Sequence, residues 1–149
     1  MKRWVRVGLA TLVVVIAGVV LLLANLQSSQ KLSLGSREFN TTILRTTDEL
    51  RKGLSGTKSL AANHAMVFVF EKDSRWGIWM KDMNYAIDIV WLDNQFKVVH
   101  LVQDAQPSSY PETIFTPQEN SRYVIELASG TIEGTGVKKG DLVTFRPEI

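Results

Sequence analysis

The stretch Trp76–Asp93, WGIWMKDMNYAIDIVWLD, decides how the rest of the chain is read. It holds three tryptophans, two methionines, one lysine and three acidic residues in eighteen positions. Its apolar runs, Trp76–Met80 and Ala86–Leu92, have the composition of strands, and the polar Lys81–Asn84 between them reads as a turn. In the second run residues 86, 88, 90 and 92 share one face of a strand, and 87, 89 and 91 share the other. Asp88 then lies beside Val90 and Leu92, an acid among apolar neighbours. Such a group must be paired, hydrogen-bonded or protonated, because an isolated buried charge is costly. Lys81 is the nearest cation in sequence, and a turn can fold it back toward Asp88.

On the C-terminal side, Asp93–Gln95 reads as a hairpin turn returning as Phe96–Gln103. A long loop follows with Pro107, Pro111 and Pro117, and then a strand, Tyr123–Ala128. Glu126 repeats the puzzle of Asp88, with Val124 and Ala128 at its own parity. The glycine-rich 130–136 segment and a Lys138–Asp141 turn lead to a last strand, Leu142–Phe145. On the N-terminal side, Ala65–Phe70 is β-branched and aromatic, the mark of a buried strand. Ser55–Asn63 reads as a loop, and Thr47 as the cap of a short helix through Lys52, stopped by Gly53. Phe39–Arg45 makes a first strand. The fold expected is mainly β, a small antiparallel barrel or sandwich of about seven strands with one short helix.

Val7–Leu26 is uncharged and almost wholly apolar, and as a helix of ~20 residues it matches the ~30 Å of a bilayer core. Lys2, Arg3 and Arg6 precede it, and Trp4 stands where an interfacial aromatic belongs. A cleaved signal peptide fits less well, since a cut after Ala24 places Leu22 at the −3 position. A buried helix would show a polar face, and this one has none. The organisation expected is a cytoplasmic basic stub (1–6), a transmembrane signal-anchor (7–26), a polar tether (27–37) and an extracytoplasmic β-domain (38–149).

Composition narrows the function. Three of the 17 basic residues sit in the stub, leaving 14 against 15 acidic ones that all lie beyond position 30. Without a concentrated basic face, nucleic-acid binding is disfavoured. The absence of cysteine excludes disulfides, thiolate metal sites and a cysteine nucleophile.

Several motifs fall in a familiar order: Glu49–Gly53-Leu54, Met66–Phe70, Trp79-Met80-Lys81, Ile87-Asp88-Ile89, Tyr123–Leu127, Gly130 and Gly140-Asp141. In that order the chain resembles the DUF192 family, small β-rich bacterial and archaeal proteins that are often secreted or membrane-tethered. The likeness spans about Phe39 to Phe145 and departs from the family's usual residues at Ala65, Asp82-Met83 and Ala86. It implies a fold rather than a chemistry.

Trp79, Lys81, Asp88 and Glu126 are the candidate ligand-binding residues, a polar cluster beside an aromatic at the mouth of the β-fold. The bland alternative is a structural ion pair. His64 and His100 lack metal-ligand spacing, so no metal is expected, and His100 reads as a core or edge histidine. No nucleophile elbow or nucleotide loop is present, so no cofactor is expected either. The reading leans away from catalysis, toward an envelope module that binds an unidentified ligand or protein partner. The alternatives are an envelope hydrolase using Asp88 and Glu126 as a carboxylate pair, or an interaction domain built on the Gln106–Gln118 loop.

Overall fold

Ile87–Leu92 is buried along its whole length, with alternate side chains in two different apolar clusters, so it runs between two cores rather than over one. The structure, a computed structural model, describes residues 30–145. The expected stub and signal-anchor lie outside the described residues. Among the described residues no helix is long and apolar enough to cross a membrane.

In chain order the strands are β1 (Lys31–Leu34), β2 (Arg37–Leu44), β3 (His64–Ser74), β4 (Ile87–Leu92), β5 (Val98–Ala105), β6 (Ser121–Ala128) and β7 (Thr144–Phe145). Two short helices join them, α1 (Thr47–Lys52) and α2 (Thr131–Thr135). The strands form one sheet in the order β5-β4-β6-β3-β2-β1-β7. Every neighbouring pair is antiparallel except β2 and β3, which run parallel. A parallel pair needs a crossover, and the segment carrying α1 supplies it.

The sheet curls into a half-barrel. Near the two edge strands, the Val98 amide donates to the Asp141 carbonyl at 2.8 Å, and the Val143 amide to that of Phe96 at 2.9 Å. All seven strands turn side chains into the inner core, which includes Leu32, Phe39, Val67, Leu92, Val98, Leu127 and Phe145. The outer face carries a second core, with Phe68, Ile89, Trp91 and Val124 beneath Leu54, Ile78 and Met80 from the connecting segments. Both faces of β4 are therefore covered, which is why no polar alternation is visible in IDIVWL apart from Asp88.

The expected mainly β fold of seven strands is present, with four corrections. Of the two expected forms the single curled sheet is nearer the barrel than the sandwich, and it is not wholly antiparallel. Part of the expected tether is β1, where Leu32 and Leu34 alternate into the inner core with no exposure. Trp76–Met80 is not a strand: Ile78 makes a lone bridge to Phe115, and the segment crosses the outer face with Ile78 and Met80 buried. The glycine-rich 130–136 segment holds a second helix, closed at each end by a glycine in the left-handed region, Gly130 at φ +83° and Gly136 at φ +68°.

Candidate functional site

Register decides where the two puzzling acids point. Within the sheet Glu126 stands between Met66 of β3 and Ile89 of β4, on the outer face. Asp88 stands opposite Leu127, on the inner face. The two carboxyls lie on opposite sides of the sheet and cannot flank a substrate bond, which removes the glycosidase-type pair.

Asp88 is hydrogen-bonded into the architecture. One carboxylate oxygen accepts from the Asp104 amide at 2.9 Å and the other from the Ile132 amide at 2.7 Å. The first donor is at a β5 irregularity where Asp104 takes φ +52°. The second belongs to the first turn of α2, whose own N-cap, Gly130, has no side chain to offer. Asp88 thus caps α2 from across the core. Lys81 does not fold back to it: its side chain is exposed, and its carbonyl accepts the Ser55 hydroxyl at 2.7 Å. The expected cluster of Lys81, Asp88 and Glu126 does not assemble.

Glu126 has a different environment. The residue is 4% exposed, and its Oε2 is buried with no hydrogen-bond partner among the described residues. Burial pushes its pKa up to about 8, so at neutral pH it is an uncharged carboxylic acid. It forms the buried end of a pocket of about 140 Å³, with Phe68, Leu54, Ile78 and Trp79 on the walls and Arg51 and Lys52 at the open end. Trp79 is 43% exposed and meets Tyr110 edge-on, the ring centroids 6.4 Å apart. Trp79 and Glu126 therefore do share a depression, as expected of a site, whereas Lys81 and Asp88 are not part of its lining.

The roof of the pocket is α1. Thr46, one residue earlier than expected, caps it, and the Glu49 carboxylate returns to the amides of Arg45 and Thr46. Those two backbone bonds hold the Glu49 carboxyl below its usual range. Gly53 ends the helix at φ +46°, and a Cβ there would meet the Phe68 ring at 3.0 Å and Glu126 Oε2 at 3.7 Å. The tight approach to the Phe68 ring and the left-handed backbone together favour glycine here. Residues 50–55, Phe68 and Glu126 are far apart in sequence, so no linear motif announces the pocket; the glycine ending α1 is the one local sign.

Neither histidine joins the site. His64 Nε2 lies 2.8 Å from the Thr42 hydroxyl, and half-buried His100 leans on Trp91 at 5.1 Å between centroids. Among the described residues no three His, Asp or Glu side chains gather as metal ligands.

A family model for DUF192, described as an uncharacterized ACR, matches residues 30–145. The chain belongs to the DUF192 family. A UPF0127 protein from Thermococcus gammatolerans is 36% identical over 85 residues, covering 56% of this chain and 52% of the relative. Another from Thermococcus kodakarensis is 33% identical over 98 residues, covering 64% and 58%. The chain thus spans little more than half the length of these relatives. Among solved structures, a Sinorhizobium meliloti protein described as a candidate transcription regulator superposes with a TM-score of 0.73 at 22% identity, covering 78% of this chain and 92% of that one. A protein of unknown function from Novosphingobium aromaticivorans gives 0.72 at 24%, covering 77% and 84%. Likenesses at that level of identity speak to the DUF192 fold alone.

Proposed function

We propose that this DUF192 chain is a non-catalytic binding module of the cell envelope. Residues 7–26 tether it with the N-terminus in the cytoplasm, and the domain lies outside the cytoplasmic membrane. Its site is the pocket beneath α1, with Glu126 at the buried end and Trp79 at the wall. The observation carrying this reading is the buried Glu126, its Oε2 without a partner among the described residues, at the end of an open pocket. Folding gains nothing from an unsatisfied carboxyl in an apolar wall, so its presence there points to a partner supplied from outside. Among the described residues the one hydroxyl in the lining, Ser55, donates to the Lys81 carbonyl rather than pairing with a base, an arrangement that suits binding better than turnover.

The test is a small-molecule screen on the full chain by ¹H–¹⁵N NMR. Compounds should shift the amides of Gly53, Gly77 and Trp79, and Glu126→Met should weaken binding of those that hydrogen-bond to the acid while the chain stays folded. Hits that cluster elsewhere, or none at all, refute the pocket as a site. The tether is examined separately by adding protease to intact spheroplasts. Digestion of the domain agrees with the placement, and protection until lysis contradicts it.

A further inference from the structure

We propose that the pocket beneath α1 takes a small hydroxylated aromatic acid, its hydroxyl against the Glu126 carboxyl and its negative end between Arg51 and Lys52. The inference deepens the reading of this pocket as a ligand site and rests on it. Size comes first. A cavity near 150 Å³ accommodates a benzene-sized guest, and this one measures about 140 Å³. Two aromatic side chains, Phe68 and Trp79, line it together with the aliphatic Leu50, Leu54 and Ile78. A flat ring matches that lining better than a branched polar body.

The buried end sets the inner group. A neutral carboxylic acid carries one O–H donor together with acceptor capacity. A ligand hydroxyl satisfies both, accepting from the acid's O–H and donating to its carbonyl oxygen. An ether or ketone satisfies only the donor. An ammonium has no lone pair to accept the acid's O–H, and would have to pass the two cations at the mouth.

The open end sets the outer group. Arg51 and Lys52 both line it, and neither makes an ion pair among the described residues. Among the described residues no acid other than Glu126 contributes to the lining. The field at the mouth is therefore positive, which draws anions and repels cations. A carboxylate on the far side of the ring from the hydroxyl would reach these cations.

Four probes on the full chain near neutral pH separate the terms: 4-hydroxybenzoate, benzoate, phenol and tyramine, followed by NMR titration of the Gly53, Gly77 and Trp79 amides. The hydroxy acid should bind tightest, each single deletion should cost about tenfold, and the amine should be weakest. Glu126→Met replaces the unpartnered acid with an apolar chain of similar length and should fold at least as well. It should erase the preference of 4-hydroxybenzoate over benzoate. Glu126→Gln, which still donates and accepts, should keep that preference. Arg51→Gln with Lys52→Gln, both at exposed positions, should erase the preference for the acid over phenol. Tyramine binding tightest, or benzoate equalling the hydroxy acid in the wild type, overturns the proposed ligand chemistry and leaves the pocket standing as a site. Silence from all four probes at these amides overturns the proposed chemistry, and the screen above then decides whether the pocket is a site at all.

Discussion

Glu126 and Asp88 show how far two acids at matching strand positions diverge once their surroundings are set. For Glu126 the folded pKa of about 8 exceeds the usual 4.5 because burial disfavours the charged form. Below about pH 4.5 both folded and unfolded chains hold the proton and the group costs nothing. Between pH 4.5 and 8 the unfolded chain has released the proton while the folded one keeps it, so stability falls as pH rises, levelling off above 8. The full fall is at most on the order of 5 kcal/mol. Among the described residues, Arg51 and Lys52 are the other charged side chains lining the pocket. Glu126→Gln should flatten the pH dependence, matching wild type in acid and exceeding its stability above pH 8, as read from urea midpoints across the range. Asp88 has a different role, since both its oxygens accept from backbone amides. Asp88→Asn turns one acceptor into a donor facing an N–H. A loss of roughly 2–4 kcal/mol is expected in urea denaturation, with faster hydrogen exchange at Ile132.

At the scale of elements, short-range chemistry was the most legible part of the chain. The capping box and Gly53 stop of α1, the β4–β5 hairpin and the strand cores all follow from local rules. In that hairpin Asp93 Oδ1 accepts from the Gln95 amide at 2.8 Å and the Lys97 amide at 2.9 Å. The same turn places Phe96 at φ +62°, a region few non-glycine residues occupy. Asp93→Ala should release that strained turn at a cost of about 1–2 kcal/mol, measured by thermal or chemical unfolding. Trp76–Met80 shows where local rules stop: its alternation is real, since Ile78 and Met80 are buried and Trp79 is not, but no strand lies alongside to pair with it. Strict alternation also breaks before His100. A β5 irregularity sets Val98 against Leu92 but His100 against Trp91, on opposite faces of the sheet.

Across the whole molecule, stability depends on joining the two ends of the curled sheet. Phe96 from the hairpin, Tyr123 from β6 and Phe145 from β7 meet at that seam. Phe96 stacks on Tyr123 at 4.8 Å, and Phe145 stands edge-on to both at 6.2 and 6.5 Å. β7 has only two residues, so its attachment relies on this packing and on the backbone bonds of the preceding segment. Phe145→Ala should cost roughly 3–5 kcal/mol and raise binding of a hydrophobic dye as the inner core opens. A milder change, Phe145→Leu, should cost less and leave the dye signal low, separating seam packing from general unfolding.

By itself the sequence determined what neighbouring residues settle among themselves: the β-rich class, the turns, the capped helix, and the fact that Asp88 and Glu126 each sit among apolar side chains. Those properties depend on side-chain period and local hydrogen bonding, which act over a few residues. Only the tertiary structure decided what each acid meets. Side chains alternate with a period of two, so the register pairing Asp88 with Leu127 and Ile89 with Glu126 sends the acids to opposite faces of one sheet. One acid finds two amides and becomes a brace; the other finds none and ends an open pocket. That offset is a long-range choice made by packing two cores against a curled sheet, and no local pattern encodes it.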